Sequence, residues 1–173
     1  MTDFTKIDYL KSGTDKQKRA FRVLTENQIL EKLKSFDPLL TGTIPLNIDI
    51  DTSDLDIICC FIDPVSFQRH LINEFSRQKD FKILASKHVG AVAVAFIVDG
   101  FLIEVFGQPI PTREQAAYRH MLVEQKILEE KGEAFRSQIV ELKKQGYKTE
   151  PAFGKLLGLT GNAYEKLLKL KFS

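Results

Sequence analysis

Three acidic side chains carry the chemistry this sequence suggests. Asp54 and Asp56 sit in Asp54-Leu55-Asp56, which leads into the apolar run Ile57-Ile58-Cys59-Cys60-Phe61-Ile62. That run reads as a buried strand. Side chains alternate along a strand, so the two aspartates share one face and Leu55 and Ile57 share the other. Carboxylates held side by side repel unless a cation or a shared proton lies between them. Hard divalent ions, Mg²⁺ above all, are held by such carboxylates together with phosphate oxygens. The third acid, Glu104, stands in the apolar segment Phe101-Leu102-Ile103-Glu104-Val105-Phe106. It is costly there unless paired or bound to a cation; the plainer reading is an edge-strand glutamate facing water. If all three acids converge, two ions held by them clamp the attacking and leaving oxygens of an in-line phosphoryl displacement. A Gly42-Thr43 turn upstream offers backbone N–H groups and a hydroxyl to phosphates, because glycine permits close approach.

The elements that must position these residues follow from periodicity and turn residues. Residues 15 to 36 read as helical, with Phe21, Leu24, Leu30, Leu33 and Phe36 inward. Thr25-x-x-Gln28 matches a capping box, so a break is expected near Thr25. Asp37-Pro38 ends the segment, and Leu39-Leu40 runs into the Gly-Thr turn. After the strand at 55 to 62, Asp63-Pro64 has the form of an N-cap and first-turn proline. Phe67, Leu71 and Phe75 then repeat as a packed helix face does. A strand is expected at 81 to 85. Strands at 91 to 98 and 101 to 106 flank Asp99-Gly100, a strong hairpin signal. Beyond the breaker cluster Gly107 to Pro111 the pattern is helical. Thr112-x-x-Gln115 resembles another capping box, and Tyr118, Met121, Leu122, Gln125 and Leu128 follow on one face. Further helices are expected at 133 to 145, 150 to 157 and 162 to 171. The plan is an α/β core over residues 1 to 110 and a helical C-terminal segment over 111 to 173.

The pattern resembles the nucleotidyltransferase superfamily of the polymerase-β type: a Gly-Ser or Gly-Gly turn, Asp-x-Asp on a strand, and an acid on a later strand. Here it falls on Gly42-Thr43, Asp54-Leu55-Asp56 and Glu104. The longer strings TGTIPLNIDIDTSDLDII and PTREQAAYRHMLVE are also similar to a bacterial family of uncharacterised proteins within that superfamily. Thr43 departs from the usual serine or glycine, keeping the hydroxyl and adding a methyl group. The resemblance implies a mixed sheet with flanking helices. It implies a Mg²⁺-dependent (or Mn²⁺-dependent) transfer of a nucleoside monophosphate from a nucleoside triphosphate to an acceptor hydroxyl whose identity stays open. Asp54 and Asp56 would hold the metals, Glu104 would complete the second site, and Gly42 and Thr43 would hold the leaving pyrophosphate. The superfamily also contains inactive members, so an idle nucleotide-binding or protein-interaction module on the same fold is the alternative.

Other charged residues are candidate phosphate ligands. Lys87, beside His88 at a strand junction, is either a phosphate-facing cation or part of a solvent-facing turn. Arg119 and His120, early in the helix after the breaker, would hold triphosphate or acceptor, or lie on an exposed face. Asp49 and Asp51 read as loop-capping residues. An EF-hand does not fit, since its sixth position is Asp54 and its twelfth Cys60.

Composition excludes several classes. The chain has 173 residues, 43% hydrophobic and 28% charged, with a net charge of +2. It carries no run near the ~20 apolar residues of a membrane span. Its first residues, MTDFTKIDYLKSG, lack a signal-peptide core. The adjacent Cys59 and Cys60 read as core residues in a reducing compartment, so the expected location is the cytoplasm. The tail from Phe153 to Tyr164 has helix-turn-helix spacing and nearby lysines. Glu150 and Glu165 flank it and no arginine lies beyond Arg136, so a nucleic-acid partner is not expected.

Overall fold

A five-stranded mixed sheet, with strands in the order β1-β2-β5-β4-β3, forms the centre of the computed structural model, which describes residues 2–85 and 89–172. In chain order the elements are α1 (Asp15–Glu26), α2 (Ile29–Lys32), β1 (Leu39–Thr41), β2 (Leu55–Cys60), α3 (Pro64–Phe75), β3 (Lys79–Leu84), β4 (Val92–Val98), β5 (Phe101–Gln108), α4 (Ala116–Lys144), α5 (Thr149–Leu156) and α6 (Ala163–Leu167). The pair β2–β5 is parallel, whereas β1–β2, β3–β4 and β4–β5 are antiparallel. Asp99 and Gly100 both take positive φ, 47° and 82°, as a two-residue hairpin turn between β4 and β5 requires. Asp63 caps α3 by accepting from the Val65 and Ser66 amides, with Pro64 in the first turn.

The helix boundaries depart from the sequence reading in four places. The first capping box is formed by Thr14 and Gln17, not Thr25 and Gln28. The Thr25 hydroxyl instead donates to the Phe21 and Arg22 carbonyls inside α1, the back-bonding an interior threonine makes in a helix. Nor does Thr112 cap α4. Its hydroxyl donates to Asp37, and the Gln115 amide donates to the Cys59 and Ile110 carbonyls. The expected helix at 133 to 145 is the second half of α4, which passes a non-helical Gly132 at φ 77°. Helix α6 stops at Leu167 rather than 171.

Strand alternation sorts the core into two layers. Leu55, Ile57 and Cys59 of β2, Val92, Val94, Phe96 and Val98 of β4, and Phe101, Ile103 and Val105 of β5 face α1 and α3. Phe67, Leu71 and Phe75 of α3 are fully buried in that layer. Ile58 and Phe106 face the other way, into a second layer with Phe4, Leu46, Ile48 and the inward residues of α4 to α6. Asp56 and Glu104 have the same parity as Ile58 and Phe106, so they emerge on this second face. Along β4, residues 92 to 96 read Val-Ala-Val-Ala-Phe. The small members Ala93 and Ala95 pair with Phe106 and Glu104, leaving the second face of the sheet unfilled over its centre.

Candidate active site

The space left by those alanines is a cavity of about 810 Å³ between the sheet and the C-terminal helices. Its floor is Asp56, Ile58, Glu104 and Phe106, one end is Thr41-Gly42-Thr43, and the far wall is His120, Met121 and Glu124 of α4 with Lys148-Thr149-Glu150 at the start of α5. Asp56 and Glu104 are direct partners in the parallel β2–β5 register, so their carboxyls stand side by side over central strands. Glu104 is therefore not an edge-strand residue. Asp54 lies just before β2 and does not line the cavity, yet its charge reaches both of the others. Burial, then Asp54, then Glu104 push the Asp56 carboxyl up to about 7. Burial and Asp54 likewise raise Glu104. Such shifts mark charge that the protein alone does not balance.

Gly42 has φ 83°, and a Cβ built there would overlap the Asp56 carboxyl oxygen Oδ2. The Asp56 carboxyl thus occupies room that only glycine leaves. The loop after Gly42 is bound into the fold. Gln17 Nε2 donates to the Ile44 carbonyl at 2.8 Å, and the Ile48 amide donates to the Thr43 carbonyl at 3.2 Å. The Thr43 hydroxyl is hydrogen-bonded to Ser53 Oγ at 3.2 Å, so this side chain already has a partner and its backbone is the freer phosphate donor. Gly42→Ala should lower stability by about 1–2 kcal/mol, the left-handed penalty for a residue with a Cβ. It should also displace Asp56, so denaturant unfolding and binding of a Mg²⁺–nucleotide should both weaken.

The donor chemistry fits Mg²⁺: hard carboxylate oxygens with uncompensated negative charge, beside backbone suited to phosphate. Among the described residues no three His, Cys, Asp or Glu side chains are gathered tightly enough to hold an ion by themselves. That is the arrangement Mg²⁺ takes in nucleotide sites, where one or two carboxylates share it with phosphates and water.

Of the remaining candidates, His120 comes to the cavity and Arg119 does not. Arg119 is exposed. His120 is buried, with Nε2 2.8 Å from the Tyr164 carbonyl and Nδ1 3.8 Å from Glu150 Oε1. Lys87 lies outside the described residues. Asp49 pairs with Lys16 at 3.2 Å, and Asp51 is exposed.

Two groups escaped the sequence reading. Glu124 is 4% exposed and lines the cavity, with no hydrogen-bond partner for Oε1. Burial and Glu150 push its carboxyl up to about 8. Lys143 is buried with its Nζ donating to the Ile48 carbonyl at 2.9 Å. Burial lowers it to about 8 against the pull of Asp49, Glu124, Asp56 and Asp54. A signal existed for both: Glu124 falls at apolar spacing between Met121 and Leu128, and Lys143 follows Ile139 by four.

The family model for a domain of unknown function, DUF4269, matches residues 22–170. The chain belongs to the DUF4269 family. No curated protein matches it. Among solved structures, this DUF4269 chain is similar to a Cid1 structure described for its RNA terminal uridylyl transferase activity, with TM-score 0.60 and 12% identity over 83% of this chain and 48% of the other. Cid1 poly(U) polymerase with MgATP bound gives TM-score 0.56 and 16% identity over 83% and 49%. The polymerase core of TRAMP, an RNA surveillance complex, gives 0.51 and 14% over 93% and 50%. The DUF4269 chain spans about half the length of these proteins. At such identities the likeness shows the fold, a nucleotidyltransferase-like α/β fold with a helical C-terminal segment. No helix among the described residues is long and apolar enough to cross a membrane.

Proposed function

We propose that this protein is a nucleotidyltransferase that moves a nucleoside monophosphate from a nucleoside triphosphate to an acceptor hydroxyl. The observation that carries this reading is the side-by-side pairing of Asp56 and Glu104 on the cavity floor next to Gly42-Thr43. Cid1, a solved protein of the same fold, is seen with MgATP bound and is described for an RNA terminal uridylyl transferase activity. Asp54 and Asp56 would hold Mg²⁺ or Mn²⁺, and Glu104 would complete the set. When bound, the metal shields phosphate charge and makes the acceptor hydroxyl more acidic. The Gly42-Thr43 backbone would orient the leaving pyrophosphate, while Phe106 and Met121 narrow the space left for water. The modest net charge and the acids of the far wall speak against a nucleic-acid acceptor, and a cytoplasmic location goes with the reading.

The test is a screen of the four triphosphates with Mg²⁺ or Mn²⁺ against hydroxyl acceptors, reading pyrophosphate. Release above the no-enzyme blank is expected for at least one combination. Triphosphate binding with no release in any combination would instead identify an idle nucleotide-binding module.

A further inference from the structure

The far wall of the cavity has a chemistry that the triphosphate does not use. Glu124 reaches it from α4 and Glu150 from α5. Glu124 is almost completely buried and its Oε1 is left without a partner. A buried carboxyl oxygen without a partner is costly, and such a group neutralises itself unless a cation reaches it. Neighbouring cations give Oε1 no hydrogen bond: Lys143 acts on Glu124 through its charge alone, and Lys148 on the same wall is exposed. Lys143 directs its Nζ at the Ile48 carbonyl, and the His120 ring is tied to the Tyr164 carbonyl and faces Glu150. Two acid side chains offer a polyphosphate no compensating charge, which leaves the phosphates to the Gly42 end. A ligand that donates a hydrogen bond and carries positive charge would satisfy Glu124 and hold its carboxyl ionised beside Glu150.

We infer that Glu124 and Glu150 form the acceptor subsite, and that the acceptor is a hydroxyl compound bearing a protonated amine. This rests on the nucleotidyl-transfer reading for the word acceptor; the ammonium site itself stands on the wall. The ammonium would approach the Glu124 carboxyl where it lines the cavity, flanked by the half-buried Glu150, across from Asp56 and Glu104. A compound anchored there by its amine would present a hydroxyl toward the paired acids.

The test is calorimetry with two probes of matched length, 1,5-diaminopentane and 1,5-pentanediol. Each is titrated in Mg²⁺ with and without α,β-methylene-ATP. The diamine should bind the wild type at least about tenfold more tightly than the diol, the scale of one buried charge-assisted contact. Glu124→Gln should remove most of that preference, and Glu150→Gln should reduce it, while α,β-methylene-ATP affinity stays within about threefold in both. Glu150→Gln, at a half-buried position, keeps the test alive if Glu124→Gln fails to fold. Equal binding of diamine and diol, no diamine binding at millimolar concentration, or an unchanged preference in the folded variants would overturn the subsite. Failure of the wild type to bind α,β-methylene-ATP would strike the nucleotidyl-transfer reading instead, and the nucleotide-free titration would still decide the subsite.

Discussion

Asp56→Asn should make the metal-free protein more stable at pH 8 and unable to hold a Mg²⁺–nucleotide. Burial and the neighbouring acids push Asp56 up to about 7, from 3.8 in the unfolded chain. Below about pH 4 the carboxyl is protonated in both states and costs nothing. As pH rises from about 4 to 7 the unfolded chain ionises first, so stability falls; above about 7 the loss is complete. Asparagine has no charge to bury and abolishes that slope. At 1.36 kcal/mol per pKa unit, reduced for the partial exposure of the site, the gain at pH 8 is on the order of 2 kcal/mol. That corresponds to roughly 4–8 °C in Tm for a chain of this size. Lys143, lowered to about 8, adds a slope of opposite sign only above that pH, so the window from 5 to 8 isolates the acids. Thermal unfolding in EDTA at pH 5 and pH 8, with calorimetry of the Mg²⁺–nucleotide complex, checks both halves. Identical pH profiles for variant and wild type, or an unchanged nucleotide affinity, would remove Asp56 from the site.

Glu104→Gln should separate binding from turnover. On the proposed reading, triphosphate binding would draw mainly on the metal that Asp54 and Asp56 would hold with the phosphates. Affinity should therefore stay within about tenfold, or about 1.4 kcal/mol. Turnover should fall at least about a hundredfold, because Glu104 would help hold a second ion whose charge stabilisation would count chiefly in the transition state. Pyrophosphate release and direct triphosphate binding, measured on the same preparations, give the two numbers. Full turnover in Glu104→Gln would leave the enzyme without its third acid and would require another group on the cavity floor.

Much of this architecture is legible in local sequence. Asp63-Pro64 starts α3, Asp99-Gly100 turns β4 into β5, and alternation puts Asp56 on the face opposite Leu55 and Ile57. What local pattern does not carry is strand neighbourhood. Whether Glu104 lies at an edge or beside Asp56 depends on β5 inserting between β2 and β4, and nothing in residues 101 to 106 encodes that. The far wall was hidden for a related reason. Glu124 occupies an apolar position of α4, and a charged residue there is easily assigned to solvent; the half-buried Gln125, which donates to Glu129, took its place in the reading. The two threonine capping boxes failed because their hydroxyls had other partners, Thr25 within its own helix and Thr112 across the fold at Asp37.

The two sides of the cavity are made at different moments of the chain's life. The paired acids need only β2 and β5, complete once Gln108 has emerged from the ribosome. The opposing side waits for Glu124 and Glu150, and for Lys143 to reach the Ile48 carbonyl 95 positions back. At 5–20 residues per second, the interval from Gln108 to Glu150 is about 2–8 s. During those seconds a nascent chain displays its acidic floor, with Phe106 and Ile58 beside it, to the surrounding solution. The cavity is therefore closed only by chain that follows the whole sheet in sequence.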